Sequence, residues 1–354
     1  MRIALQASRL ALPPSDPRHA EVVGLIELFA SSAEEVVVLA SGSAADHLLS
    51  GRPNVTLAAG GTGLVFELRG AARLARELEA DLLYCLHPSA PWNSSVPFVI
   101  EDDGGSLPEL DGRSRWADGL RRAGESGASA LIVPDDLPPP ASASARRAPP
   151  AVSPAFQPGD NIPAVGLGRW GLDRDYVVAW ACSLRGLRRL LAAWTWVDGS
   201  LGDSVALALL CAHRSIRERA EIDIREMELE DSVQPIAIEG ALDLPPLFRG
   251  ARAYLGAESG PTPQALRWAL ASGLPIAAEM TPLSDAVTGD AAYLVAEADT
   301  RALGAAALTL LVEEEVANRL RARGLKRAES YAFGRALAAR LEIVRTVQDQ
   351  ARFP

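Results

Sequence analysis

The sequence predicts an α/β protein with two doubly wound, mostly parallel sheets, one in each half of the chain, facing each other across a cleft. Three observations predict it. Short apolar runs alternate with helix-patterned stretches from residue 2 to residue 133. The same alternation restarts near residue 176 and continues to the C-terminus. Between the two, residues 134–163 hold too many prolines for a helix or a central strand, and read as an extended interdomain linker. At 354 residues, two domains are the natural division.

In the first half, Arg2–Gln6 (RIALQ) reads as a central strand. Pro13, Pro14 and Pro17 stiffen the loop that follows, and Asp16 is placed to cap a helix from Pro17 to Ala30. Val36–Ala40 is the second strand, Ala44–Leu49 a short helix and Val55–Ala58 the third strand. Gly60–Gly63 turns into a helix running to Glu79, with Leu64, Leu68, Ala71, Leu74, Ala75 and Leu78 on one face. Asp81–Leu86 is the fourth strand and ends at His87-Pro88. Val96–Ile100 is the fifth and runs into Glu101, Asp102 and Asp103. A helix over Trp116–Arg122 and a sixth strand over Ala130–Val133 complete this half.

In the second half, Tyr176–Ala181, Val205–Cys211 and Gln234–Ile238 are strands. Leu184–Trp196 and Ser215–Leu229 are the helices between them. Leu244–Gly250 is a short helix and Ala253–Leu255 a strand. The loop Gly256–Pro263 opens the amphipathic helix Gln264–Ser272, which Gly273 stops. Strands follow at Pro275–Ala278 and Ala291–Val295, then helices at Thr300–Glu313, Glu315–Glu329 and Tyr331–Gln350.

Composition excludes several classes of function. Net charge is −10, with no basic run, which argues against nucleic acid as a partner. No apolar run approaches the roughly 20 residues that span a bilayer. MRIALQASRL reads as a first strand and not as a signal peptide. Cys85, Cys182 and Cys211 lack metal-type spacing, and such scattered thiols fit a reducing cytoplasm. Cys182 and Cys211 end neighbouring strands in this reading, as small buried thiols.

LPPLFRGARAY, from Leu244 to Tyr254, is similar to LPxLYRGARAFV, a segment of the family-4 glycosyltransferases of the GT-B fold, which pairs two Rossmann-like domains. ALASGLPIAA, from Ala269 to Ala278, looks like EAMACGTPVVAS, and TGDAAYLV, from Thr288 to Val295, like VGDAALLV. The helix at Val316–Glu329 resembles xLRxRGLxRAxxF, and ADLLYCLHPSAP, from Ala80 to Pro91, resembles ADVLHSPHxxAP. The resemblance implies an acceptor-side domain over 1–133, the linker at 134–163, a nucleotide-sugar domain over 164–330 and a helix over 331–354 that crosses back to the first domain. It implies a hexosyltransferase that moves a sugar from a nucleotide-sugar donor to a sugar, a lipid-linked sugar or a small molecule. Retention and metal independence are implied with it, and the base of the donor is left open. A second copy or a partner transferase is the assembly expected.

The site chemistry departs from the family's pattern. The leaving diphosphate needs cations, because negative charge grows there in the transition state. The family supplies an Arg and a Lys in a VGxxxxRKN turn, but here the turn is Ala181–Gly186 and the only lysine is Lys326. Ser183 with Arg185, or else Arg188, stands in that place, and a solvated helix-start arginine is the equal alternative. Two glutamates separated by seven residues would hold the sugar and the ribose. Glu258, Ser259 and Gly260 occupy the loop, but the second glutamate's place falls on Trp268 or Leu266, neither of which accepts a hydrogen bond. The family's VGDGP turn is replaced by Leu-Cys-Ala-His-Arg, where His213 and Arg214 either touch a nucleotide or cap and solvate a helix. His87 is the catalytic candidate at a strand end, with a half-buried loop histidine as the alternative. The VTVHD histidine is absent, and Glu101 and Asp102 put negative charge on the acceptor side. Near the first strand, a glycine-rich loop gives way to Arg9–Pro14. These losses keep a second reading open: a GT-B protein without catalysis, acting as a binding or assembly subunit.

Overall fold

A computed structural model describes residues 1–41, 52–63, 65–86, 91–92, 94–102, 126–138, 144–158, 167–257 and 263–352. The helices expected at Ala44–Leu49 and Trp116–Arg122 lie outside these. Two compact units emerge. One comprises Met1–Leu12, Glu21–Ala151 and Ala332–Pro354; the other comprises Pro13–Ala20 and Val152–Tyr331.

The first unit is built on a seven-stranded sheet. Its strands are β1 (Arg2–Gln6), β2 (Glu35–Ala40), β3 (Val55–Ala59), β4 (Leu82–Leu86), β5 (Phe98–Glu101), β6 (Ala130–Pro134) and β7 (Ala145–Ala148), in the order β3-β2-β1-β4-β5-β6-β7. Every pairing is parallel. Helices of this unit include α1 (Pro17–Ala30), whose first turn belongs to the other unit, and α2 (Ala71–Glu77), which continues a π-helical turn at Phe66–Gly70. The helix expected to reach Glu79 stops at Glu77, and Glu79 takes a φ of 52°. Runs such as EVVVLA and LLYCL are nearly continuous in apolar residues because both faces of a parallel sheet are covered.

Strand β7 is the main departure from expectation. The proline-rich stretch read as a linker contributes ARRA as an edge strand, with Leu131–Pro134 paired to Ala145–Ala148. An edge position tolerates both the flanking prolines and the two arginines, since one side of the strand needs no partner.

The second unit carries six parallel strands: β8 (Asp175–Ala181), β9 (Val205–Cys211), β10 (Val233–Ile236), β11 (Ala253–Gly256), β12 (Ile276–Glu279) and β13 (Ala292–Val295). Their order is β10-β9-β8-β11-β12-β13. Helices α3 (Leu184–Leu201), α4 (Arg214–Glu226), α5 (Leu244–Gly250), α6 (Gln264–Ala271), α7 (Pro282–Thr288), α8 (Thr300–Val312) and α9 (Glu314–Ala328) surround it. Alternation along β8 divides the core. Val177, Ala179 and Ala181 join the aliphatic cluster with Leu187, Leu191 and Trp194. Tyr176 and Trp180 are buried as well but fall outside that cluster.

Two glycines are dictated by geometry. A Cβ at Gly250 would run into the Tyr176 hydroxyl, which donates to the Leu247 carbonyl at 2.9 Å. Gly273 ends α6 at a φ of 69°, with its N–H on Leu270 O (3.1 Å) and the next N–H on Ala269 O (2.9 Å).

The final helix, α10 (Phe333–Arg352), is fastened inside the first unit by Arg340. This guanidinium is buried and donates to both oxygens of Glu101, to Pro149 O (2.8 Å) and to Ala336 O (3.1 Å). Tyr84 donates its hydroxyl to the same carboxylate. Removing one partner of such a group strands the other charge, at a cost of about 3–5 kcal/mol. Arg340→Met should therefore lower the first urea-unfolding midpoint sharply, and adding Glu101→Gln should recover part of the loss. An unchanged midpoint in the single variant would contradict this role.

Candidate functional site

Open parallel sheets bind ligands outside the carboxyl ends of their strands, where the strand order reverses. In the second unit that point lies between β8 and β11. Beyond β8 the chain passes Cys182 and Ser183 and enters α3. Ser183 is the N-cap: its backbone is extended and its Oγ accepts from Gly186 N at 3.0 Å. Arg185 and Arg188 follow in the first turns, both exposed, and neither makes an ion pair among the described residues. An 18-residue helix beginning here presents its positive end to the same place. Arg189, in contrast, is engaged, at 2.8 Å from Glu279 and 3.4 Å from Glu297. The site thus has two unpaired guanidinium groups, a helix N-terminus and one arginine bound into the framework.

The thiol at the end of β9 adds nothing reactive. Cys211 pairs with Ala181 in the sheet, and burial pushes its thiol up to about 12.

The α6 side is aromatic. Trp268 lies parallel to Phe156, with centroids 5.0 Å apart and planes 1° apart. It stacks on Trp180 at 5.6 Å and meets Phe248 edge-on at 5.9 Å. Trp268 is 3% exposed and Leu266 7%. Both positions where the family resemblance would put a ribose-binding carboxylate are therefore hydrophobic core. Arg267, beside them, is buried and bonds Gln264 at 3.3 Å. Glu258, Ser259 and Gly260 lie outside the described residues.

Sequence reasoning missed a third group. Ser15 accepts a hydrogen bond on its carbonyl from Trp180 Nε1 (3.0 Å), and its hydroxyl donates to Ala212 O (3.2 Å). Asp16 is fully buried and takes three donors from Arg18, namely the backbone N and Nε at 2.9 Å and Nη2 at 2.6 Å. His213 Nε2 stands 3.7 Å from Asp16 Oδ2. Asp16 was legible as a helix cap, which it is, but not as a partner 197 residues away from His213. Arg214 turns along α4 to Glu218 at 2.7 Å and is 91% exposed.

In the first unit, the corresponding reversal lies between β1 and β4. Gln6, at the end of β1, is 2% exposed, and neither its Oε1 nor its Nε2 has a hydrogen-bond partner among the described residues. An orphaned buried amide is costly, and such groups mark places where water or a ligand completes the bonding. A lone Gln in an apolar strand was its only signal. Arg9 pairs with Glu21 at 3.0 Å. Glu101, expected to present charge to an acceptor, instead faces Tyr84 and Arg340 inside the unit. Asp102 is buried, with its N–H on Ile132 O at 2.8 Å. His87 lies outside the described residues.

Glu279 gives the second unit a pH signature. Burial pushes its carboxyl above the ordinary 4.5, against the Ala298 amide and Arg189, which pull it down. A carboxyl raised in the fold favours the fold when neutral, so its contribution is greatest below the unfolded value and declines as pH rises through the folded one. Arg189→Ala removes a cation and raises the carboxyl further. Its destabilisation in urea should be larger at pH 8 than at pH 5. Equal losses at the two pH values would contradict the pairing.

Among the described residues, no group of three or more His, Cys, Asp or Glu is placed to hold a metal ion, and no helix is long and apolar enough to cross a membrane. No family model matches the sequence, and no curated protein sequence matches it. Solved structures do. Sucrose-phosphate synthase from Thermosynechococcus elongatus aligns over 98% of this chain and 99% of its own, at 15% identity and a TM-score of 0.72. Anabaena HepE in complex with UDP-glucose aligns over 99% and 100%, at 14% identity and 0.72. WaaG, a glycosyltransferase involved in lipopolysaccharide biosynthesis, aligns over 96% and 99%, at 16% identity and 0.69. With two all-parallel sheets and these whole-length likenesses, the chain has the GT-B fold of solved glycosyltransferases.

Proposed function

We propose that the protein transfers a sugar from a nucleotide-sugar donor to an acceptor hydroxyl. The observation that carries this reading is the likeness, over nearly the whole chain, to glycosyltransferases, including one solved with UDP-glucose. Arg185 grips the donor diphosphate beside the Ser183-capped N-terminus of α3, with Arg188 behind it. Charge that builds on the leaving group meets these cations and the helix amides. Glu258, Ser259 and Gly260 hold the sugar and phosphate, and His213 and Arg214 flank the nucleotide. His87 orients the acceptor hydroxyl with Gln6, while Arg9 and Asp102 border the acceptor. Glu101 serves there by fixing Arg340. Transfer with retention and without a metal follows from the family resemblance.

A second reading has one specific observation in its favour. Trp268 fills the ribose carboxylate's place with a buried indole. A chain that cannot hold the ribose in the usual way could keep the fold as a non-catalytic binding or assembly subunit.

A thermal-shift screen against UDP-, GDP-, dTDP- and ADP-sugars tests the transferase reading. One donor at about 100 times its dissociation constant should add roughly 2.7 kcal/mol and raise the melting temperature by about 5 °C or more. Arg185→Ala should abolish that shift. No shift with any donor at millimolar concentration would overturn the transferase reading. A shift unchanged in Arg185→Ala would move the diphosphate elsewhere.

A further inference from the structure

The first unit holds a cavity of about 600 Å³ lined by Arg69, Ala72, Arg73, Arg76, Trp92 and Ser95. We propose that it is a binding site for a phosphate-bearing ligand with a sugar or sugar-like polyol ring. This does not depend on whether the chain transfers a sugar.

The arginines stand at spacings of four and three along one helix, so they share a face. Neither Arg69 nor Arg76 has an acidic partner among the described residues, and Arg73 has only Glu77 at 3.6 Å, with both side chains more than half exposed. In a chain of net charge −10, three guanidinium groups crowded into two turns repel one another unless an anion joins them. Guanidinium forks suit phosphate oxygens, which they bind in pairs.

The other wall points to a ring. Trp92 is 66% exposed, an unusual state for the largest apolar side chain. It is not a stray loop residue: its backbone N–H bonds Leu68 O at 2.7 Å, and Arg69 lies over its ring at 5.3 Å. The π-helical turn Phe66–Gly70 carries Arg69 towards it. Buried Ala72 lies between the arginines in sequence, and Ser95 lines the cavity as well. A volume of about 600 Å³ is of small-molecule size. A stacking surface beside a phosphate grip thus recognises a sugar phosphate, either free or as the head group of a lipid.

Calorimetry on the full chain with glucose 6-phosphate and glucose, and co-sedimentation with vesicles of phosphatidylinositol, whose head group is a polyol ring on a phosphate, and of phosphatidylcholine, test this. At least one of two probes should bind saturably: glucose 6-phosphate if the source is soluble, phosphatidylinositol vesicles if it is a lipid. Binding should weaken about tenfold or more in Arg69→Gln/Arg76→Gln and to a lesser extent in Trp92→Leu. All three positions are exposed, so melting temperatures should stay unchanged and report intact folding. The proposal fails if neither phosphate probe binds, if glucose binds as well as its phosphate, or if the double variant binds like the parent.

Discussion

The parallel packing of Trp268 on Phe156, closed by Trp180 and Phe248, is the interaction on which the second unit depends. In a chain of only 5% aromatic residues, these rings gather at one point. They join β8, α5, α6 and the turn at Pro154–Phe156 by which the chain enters this unit. Each such ring buries on the order of 150–250 Å². The rest of the unit is built from Ala, Leu and Val, whose shapes specify position less strictly. Helix α6 therefore sits where its tryptophan places it.

That placement divides the proposed donor site into two chemically different sides. On the α3 side, Ser183 caps a long helix, and Arg185 and Arg188 make no ion pair among the described residues, so positive charge is available there. On the α6 side, the stack has replaced polar groups with hydrocarbon. In the proposed site, grip on phosphate is uncoupled from grip on ribose. Asp16 and Ser15 fix a neighbouring part of the second unit by binding Arg18, Trp180 and Ala212.

Much of the framework was legible in the sequence because its causes are local. Gly273 ends a helix through its own left-handed backbone. Runs such as VALALLC read as strands because both faces are buried. Gly250 could be read from the LFRGARAY likeness, although its reason is distant, since Tyr176 leaves no room for a Cβ. What stayed hidden depends on long-range partners. Glu101 and Arg340 are 239 residues apart, and nothing near either predicts the other. ARRA between proline runs has no alternating pattern, and only its edge position makes it a strand. Along the helix before β4, the apolar face was visible, while nothing in the sequence near the three arginines marks Trp92 as their neighbour. Gln6 gave only the faint signal of a lone amide in an apolar strand. Candidate site residues were legible as types at strand ends, but their pairing was not.

The most direct test is a crystal structure of the protein with a nucleotide sugar that it binds. The account predicts a diphosphate within hydrogen-bond reach of Arg185 and the first amides of α3, with Trp268 still flat against Phe156 and the ribose held by other groups. A diphosphate bound away from Arg185, or a Trp268 ring swung out to admit the ribose, would contradict it.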